Sequence, residues 1–262
     1  MEEQEQETRM SFLDHLEELR WRIVKSAIAV VLVAIVVWIF KGWIMQNVFV
    51  AMSSPDFVSF KFMCDYFGLC IGDIEIDYQN IELTGQFSYA LLMSIMGGFI
   101  VAFPFIFYQL WAFVKPGLKL KEKSMAKGIV FYISLLFFVG IAFGYLVVAP
   151  LCVQFFGNFQ IIEEFENNIR ISSFMGTVLS TIFYTGLLFL LPVVIYIMTK
   201  LGIMTSGFLR KYRKHSVIAI LILSALITPP DFISQVIVGV PILILYEIGI
   251  LVSSRVEKKN VN

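Results

Sequence analysis

Residues 23–44 read IVKSAIAVVLVAIVVWIFKGWI, a strongly apolar run with one lysine near each end. A helix that crosses a bilayer needs about 20 consecutive apolar residues, because each residue advances the helix by only about 1.5 Å. Lysine side chains near the ends of such a helix can extend to the headgroups and keep their charge in water. This stretch therefore predicts a transmembrane helix.

The composition extends that interpretation to the whole chain of 262 residues. Hydrophobic residues make up 58% of it and charged residues 15%, whereas about a quarter of a soluble domain is charged. The 20 lysines and arginines balance the 20 acidic residues, so no overall basic character suggests a nucleic-acid partner. We interpret residues 1–262 as one all-α domain of a polytopic integral membrane protein, which excludes a soluble globular enzyme.

Six apolar stretches predict membrane-spanning helices at residues 23–44, 87–113, 128–149, 172–198, 216–228 and 232–252. Before the first of them, residues 10–22 predict an amphipathic helix with internal ion pairs. The fifth and sixth helices are short and form a hairpin, and the fifth cannot cross an average bilayer without local thinning. Gly140 and Gly144 form a small-residue pair that predicts close helix packing in the third span.

The positive charges predict the orientation of the chain. Seventeen of the 20 lysines and arginines lie in the N-terminal segment, the second-to-third and fourth-to-fifth loops, and the C-terminal tail. The other three are Lys41, Lys61 and Arg170. Because loops rich in lysine and arginine stay in the cytoplasm, both termini are predicted to be cytoplasmic.

Each of three acidic residues has either a structural or a functional role, and the sequence leaves both interpretations open. Glu18 lies four residues before Arg22, so it forms either a simple ion pair on a solvated helix or part of a binding site. Glu122 is the one acid in the basic loop of residues 115–127, where it either neutralises lysines or binds a ligand. Asp231 follows two prolines, and it either caps the sixth helix or has a direct role.

Polar residues inside the spans also need a reason, because burying them in lipid is costly. Thr177, Thr181 and Tyr184 recur at helical spacing in the fourth span. Such a stripe serves either interhelical hydrogen bonds or a functional surface. Glu247 in the last span is either a paired carboxylate or a proton carrier, and we favour the pair.

Catalytic signatures are missing from the sequence. No Gly-Lys dipeptide occurs, which excludes a Walker A loop and direct use of ATP. HExxH and GxSxG are absent, and two histidines and three cysteines offer no metal cage. We therefore predict no catalytic residue, no metal and no cofactor. Cys64 and Cys70 share the first outer loop, where they predict a local disulfide and not a redox-active CxxC pair.

Five motifs together resemble one known family. They are FLDHLEELRWR (12–22), FPFIFYQLWAFVKPGL (103–118) followed by Glu122, FGYLVVAPL (143–151), ITPPDFISQ (227–235) and YEIGI (246–250). These patches resemble the TatC family, the multispanning subunit of the twin-arginine, Sec-independent protein translocase. They run from end to end of the chain in the family's order.

The resemblance implies a receptor for folded proteins whose signal peptides carry consecutive arginines. It implies export driven by the proton-motive force across the bacterial cytoplasmic (inner) membrane, with recruitment of single-span TatA and TatB-type partners and a homo-oligomer within a larger complex. The family's signal-binding acids match Glu18 and Glu122, and Arg20 and Phe113 match other positions important there. Guanidinium groups pair bidentately with carboxylates, a geometry that lysine cannot copy.

The resemblance also suggests that Thr228 and Gln235 form a polar docking site for a partner helix. One position departs from the family. Related proteins carry Glu or Gln two residues before the proline of the fourth span, and here that residue is Leu190. An alternative function, a secondary transporter of small solutes, would predict paired half-repeats, and none is visible.

Overall fold

The computed structural model describes residues 12–54, 56–67, 78–114, 128–162, 168–228 and 231–261. Its α-helices are α1 (Phe12–Ile39), α2 (Lys41–Ile44), α3 (Val58–Phe67), α4 (Gly85–Val114), α5 (Ile129–Phe143), α6 (Ala149–Asn158), α7 (Ile171–Leu188), α8 (Leu191–Lys200), α9 (Ser206–Lys211), α10 (Arg213–Ile227) and α11 (Phe232–Val261). A π-helix (Met45–Phe49) and a 3-10 helix (Val50–Ser53) follow α2, and a second π-helix (Gly144–Val148) joins α5 to α6. The strands are β1 (Tyr78–Gln79) and β2 (Ile169–Arg170).

Five segments of the described chain are long and apolar enough to cross a membrane. They are His15–Ile39, Gly85–Val114, Ile129–Asn158, Ile171–Lys200 and Ser234–Lys258. The predicted fifth span is the 15-residue helix α10, which is shorter than the roughly 20 residues that a straight crossing needs. A helical fold with five segments able to cross a membrane is thus confirmed, and the sixth crossing, by α10, stays a prediction.

Three helices differ from the sequence-based prediction. The sixth helix was predicted to be short, but α11 has 30 residues, because its helical pattern continues past the apolar run into the polar C-terminal segment. The described part of the amphipathic segment and the first span form the single helix α1, so no break separates them. The third span was expected to end before Pro150, but the helix continues through it to Asn158. Proline has no N–H and leaves the carbonyl four residues earlier, that of Leu146, without its usual helical partner. The hydroxyl of Ser59 in α3 donates to that carbonyl.

The fourth span is interrupted where its sequence carries a proline. Helix α7 ends at Leu188, and α8 begins at Leu191 with Pro192 in its first turn. Proline suits a first turn because the N–H it lacks would have no helical acceptor there. Leu190 lies at this interruption and is partly buried.

The described chain forms two compact units. The first consists of Met1–Ile39 and Ser94–Ser134, in which α1 packs against the second half of α4. At Gly98 an added Cβ would lie 2.7 Å from the carbonyl oxygen of Val30 and 2.9 Å from the Cβ of Ala34. The absence of a side chain there lets the two helix backbones approach, as small residues do in membrane helices.

The second unit consists of Phe40–Met93 and Leu135–Asn262. Its main buried cluster contains Val148, Cys152, Ile195, Leu209, Ile220, Val238, Ile242, Tyr246 and Ile250. The predicted close packing at the glycine pair is confirmed, because a Cβ on Gly140 would lie 2.7 Å from the Cβ of Phe189, and one on Gly144 would lie 3.0 Å from the Cα of Ile182. The third and fourth spans are therefore in backbone-close contact.

The two strands are an addition to the all-α prediction. Tyr78 pairs with Ile169 and Gln79 with Arg170 in parallel register. The Tyr78 hydroxyl shares a hydrogen bond with Ser53, and its ring meets that of Phe174 edge-on, with centroids 5.0 Å apart. Burial raises the pKa of the Tyr78 hydroxyl, and the hydrogen bond to Ser53 partly offsets that rise.

Candidate functional site

Helices α1 and α4 hold a polar cluster of three side chains, Glu18, Arg22 and Gln109, which we call the Glu18 cluster. The Arg22 Nε donates to Glu18 Oε1 at 2.9 Å, and Arg22 Nη2 donates to the same oxygen. The Arg22 Nη1 donates to Gln109 Oε1 at 3.3 Å. The first two residues lie one turn apart on α1, and the third reaches them from α4.

The Glu18 cluster is largely shielded from solvent. The Glu18 and Arg22 side chains are each 22% exposed, and Gln109 is 7% exposed. The second carboxylate oxygen of Glu18, Oε2, is buried and has no hydrogen-bond partner among the described residues. A buried acceptor without a donor costs free energy, and none of the described residues donates to Oε2.

An aromatic contact lies beside this cluster on the same two helices. The His15 ring stacks on the Phe113 ring with centroids 4.2 Å apart and an interplanar angle of 15°. His15 of α1 pairs with Phe113 of α4, and Arg22, further along α1, pairs with Gln109, which comes earlier in α4. The two helices therefore run antiparallel. The structure thus places Glu18 and Phe113, two predicted site residues, on one helix pair.

The other predicted signal-binding residues are placed differently. Arg20 is exposed, and two residues along a helix it does not share the face of Glu18. Glu122 lies outside the described residues, so its proximity to Glu18 stays a prediction. Sequence reasoning missed His15 and Gln109. Gln109 is a polar residue within the predicted span 87–113, and the cost of such residues in lipid was the signal that could have identified it.

The predicted docking residues lie at the hairpin between α10 and α11. Thr228 is buried, and its hydroxyl donates to the Ser224 carbonyl at 2.8 Å. The Gln235 amide donates from α11 to the Leu221 carbonyl of α10 at 3.0 Å. The Thr228 hydroxyl therefore pairs within the end of α10, whereas Gln235 joins α11 to α10. A role of either residue in partner docking stays a prediction.

Asp231 precedes α11 and faces its first turn. Its Oδ2 accepts a hydrogen bond from the Ser234 backbone N–H at 2.7 Å, which is the geometry of a helix N-cap. In the predicted disulfide, Cys64 lies in α3 and Cys70 lies outside the described residues, so their pairing stays a prediction. Within the described residues, no group of three or more His, Cys, Asp or Glu side chains is placed to hold a metal ion.

The polar stripe of the fourth span does not share one environment. Thr181 is buried, whereas Tyr184 is 52% exposed. The neighbouring hydroxyls of Ser180 and Thr185 donate to carbonyls of their own helix, at 2.6 Å to Gly176 and 2.7 Å to Thr181. These two hydroxyls therefore satisfy their donors within α7 and not across to another helix.

Glu247 has a cationic partner, as we favoured. Its Oε2 accepts from Arg213 Nη2 at 2.6 Å, which joins α11 to α10. Both side chains are about half exposed.

Five described segments that are long and apolar enough to cross a membrane are typical of a multispanning integral membrane protein, and comparison with known proteins gives its family. The family model for the Sec-independent protein translocase protein (TatC) matches residues 14–241. The chain belongs to the TatC family.

Individual relatives agree along nearly the whole chain. The Sec-independent protein translocase protein TatC of Blattabacterium is 32% identical over 258 residues, which cover 95% of this chain and 97% of that protein. TatCy of Bacillus subtilis is 32% identical and covers 95% of this chain and 91% of its own length. A crystal structure of the twin arginine translocase receptor TatC matches with a TM-score of 0.69 and 27% identity, over 93% of this chain and 99% of that one.

These matches define the general activity. The chain is a membrane component of protein transport and does not fall in a known enzyme family. They favour protein translocation over the alternative of a small-solute transporter.

Proposed function

We propose that this chain is the receptor subunit of a twin-arginine translocase, and that it binds twin-arginine signal peptides of folded proteins at the Glu18 cluster. The observation that carries the proposal is the Oε2 atom of Glu18, a buried carboxylate oxygen without a donor among the described residues. A related chain of known structure is described as the twin arginine translocase receptor.

The chemistry of the cluster suits an arginine. A guanidinium presents several N–H groups in one plane and is less strongly hydrated than an ammonium, so it loses less on entering a shielded site. Hydrogen bonds from a charged donor to a carboxylate are among the strongest that proteins make. Glu18 Oε2 therefore suits one arginine of the pair. Glu122 supplies a carboxylate for the other, and the lysines around it disfavour peptides with scattered cations.

The rest of the proposal concerns placement and partners. The chain crosses the inner membrane six times, with α10 as the fifth crossing and both termini in the cytoplasm, so signal peptides reach the α1–α4 site from the cytoplasm. Transport draws on the proton-motive force. TatA and TatB-type single-span proteins dock at the α10–α11 hairpin near Thr228 and Gln235, and several copies of the chain assemble in one complex.

The test is photo-crosslinking of a twin-arginine signal peptide to membranes that contain each variant at matched levels. A hydrogen bond to a charged group contributes about 1.5–3 kcal/mol, so Glu18→Ala and Glu122→Ala should each weaken binding by roughly ten- to a hundredfold. The matched control is Glu17→Ala, which removes an exposed acid one residue away and should bind normally. Wild-type crosslinking in both Glu18→Ala and Glu122→Ala would overturn the proposal.

A further inference from the structure

We propose that Arg22, held in place by Gln109, is a positioning residue that makes the site select arginine over lysine. This inference rests on the proposed function and concerns how Glu18 recognises its ligand. It assigns no contact with the signal peptide to Arg22 itself.

The first step is the way in which Arg22 binds Glu18. An arginine and a carboxylate can pair through two nitrogens and two oxygens. Here both Nε and Nη2 of Arg22 point at a single oxygen, Glu18 Oε1. One oxygen of the carboxylate is therefore occupied by Arg22, and the other, Oε2, accepts from no described residue and is open to a donor from the ligand.

The second step is the hydrogen bond that holds Arg22 in place. An ion pair between residues four apart on one helix is weak when it stands alone, because both side chains can rotate away. Gln109 adds a contact from a different helix, through its Oε1 to Arg22 Nη1. Because Gln109 is itself buried, it restricts Arg22 to the rotamer that leaves Oε2 free.

The third step is the charge of the cluster. Arg22 neutralises Glu18, so an incoming cation meets a neutral pair and not a bare anion. Long-range attraction is then small, and binding depends on a directional hydrogen bond to Oε2 and on the cost of removing water from the cation. A lysine ammonium is a strongly hydrated point charge, whereas a guanidinium is weakly hydrated and planar. A neutral, shielded acceptor therefore favours arginine, while a bare carboxylate would attract either cation.

The experiment measures crosslinking of two signal peptides that differ only in carrying Arg-Arg or Lys-Lys, across a range of peptide concentrations. Arg22→Gln should lower the preference for Arg-Arg by about tenfold, because Glu18 becomes a bare anion that also attracts lysine. Arg22→Lys, which keeps the charge but not the planar fork, should retain an intermediate preference. The matched control is Lys25→Gln, which removes an exposed charge from the next turn of α1 and should leave the preference unchanged.

Two results would overturn the inference. An unchanged Arg-Arg preference in Arg22→Gln would show that Arg22 does not set selectivity. Equal tightening of both peptides would show that Arg22 merely competes with the ligand for Glu18. If Arg22→Gln does not accumulate in the membrane, Gln109→Leu serves instead. Loss of the hydrogen bond from Arg22 to Gln109 should lower the Arg-Arg preference about threefold. An unchanged preference in that variant would also overturn the inference.

The outcome is separable from that of the proposed function. If Glu18→Ala abolishes binding while Arg22→Gln keeps full selectivity, the receptor site stands and this inference fails. If Glu18→Ala and Glu122→Ala both bind normally, the site itself is misplaced.

Discussion

The Ser59 hydroxyl donates to the Leu146 carbonyl, the backbone acceptor that Pro150 leaves without its helical N–H. Ser59 lies in α3 and Leu146 in the π-helix between α5 and α6, so the contact joins segments far apart in the sequence. A second contact runs in the same region, where the Tyr145 hydroxyl donates to the Val48 carbonyl at 3.0 Å. The Ser59 contact gives the Leu146 carbonyl a donor in place of the N–H that Pro150 lacks, which matters because backbone groups at membrane depth need partners. The Tyr145 contact likewise gives the Val48 carbonyl a donor.

Removing the Ser59 hydroxyl should destabilise the protein. Ser59→Ala leaves the Leu146 carbonyl without that donor, and we expect a loss of about 1–2 kcal/mol in the free energy of unfolding. Thermal unfolding in detergent measures the change. Ser88→Ala, at an exposed serine in α4, is the control and should unfold like wild type; equal stability of both variants would contradict the assignment.

Adding a side chain at Gly98 should separate α1 from α4. The new Cβ of Gly98→Ala would lie 2.7 Å from the Val30 carbonyl oxygen, and such overpacking costs about 1–3 kcal/mol. The variant should unfold at lower temperature and crosslink signal peptide less well. Gly207→Ala is the counterpart, because nothing lies within 4 Å of its added Cβ, and this variant should be as stable as wild type.

Ionisation of Tyr78 should make the stability of the protein fall with rising pH above the ordinary pKa of tyrosine. Burial raises the pKa of this hydroxyl above its ordinary value of 10.0, so the folded state disfavours the phenolate. The contribution of the protonated Tyr78 hydroxyl to the free energy of unfolding is fully present below pH 10, and it is lost as the pH rises through the folded-state pKa.

Tyr78→Phe tests this dependence, because it removes the ionising group together with the hydrogen bond to Ser53. We expect it to cost about 1 kcal/mol at pH 7 and to flatten the decline in stability above pH 10. The measurement is thermal unfolding of both proteins from pH 7 to above pH 10. Parallel declines in the two proteins would assign the dependence to other groups.

Neutralising Glu247 should leave transport intact. The carboxylate pairs with Arg213, and glutamine keeps an acceptor for that arginine, so Glu247→Gln should cost at most about 1.5–3 kcal/mol of stability, which is what a hydrogen bond to a charged group contributes. Export of a twin-arginine substrate by cells that carry the variant measures the effect. Loss of export with normal protein levels would contradict a purely structural ion pair and favour the proton-carrier interpretation.

The crossing by α10 can be tested with topology reporters. A fusion after Lys211 should report the cytoplasm, and a fusion at Asp231, beyond the short helix, should report the periplasm. Fusions at Glu82 and Ile162 should also report the periplasm. If the reporters at Lys211 and Asp231 agree with each other, α10 does not cross and the chain has fewer than six spans.

Hydropathy alone could predict the helices that are long and apolar, because spanning a bilayer imposes a length that the sequence displays. It could not predict the continuation past Pro150, since the donor that permits it, Ser59, comes from a distant helix. The strand pairing of Tyr78 with Ile169 involves too few residues to leave a periodic pattern.

Only part of the candidate site could be predicted from the sequence, because some of its contacts depend on how distant helices pack. Glu18 and Phe113 were identified from motif resemblance, and the ion pair of Glu18 with Arg22 follows from helical spacing. The contribution of Gln109 depends on how α1 packs against α4, a relationship that no local pattern encodes. Its polarity within an apolar span was nevertheless visible in the sequence.

Helix α1 continues without a break from its first turn to Ile39, and it touches α4 both at Arg22 and, further along, where Val30 and Ala34 meet Gly98. A stiff rod that is held at an intermediate point acts as a lever. From His15 to Ile39 it measures about 36 Å at 1.5 Å per residue, so a tilt of about 5° about Gly98 shifts its ends in opposite directions by ångströms. A tilt imposed at Glu18 would therefore also displace the opposite end of α1, at Ile39, without any unwinding of the helix.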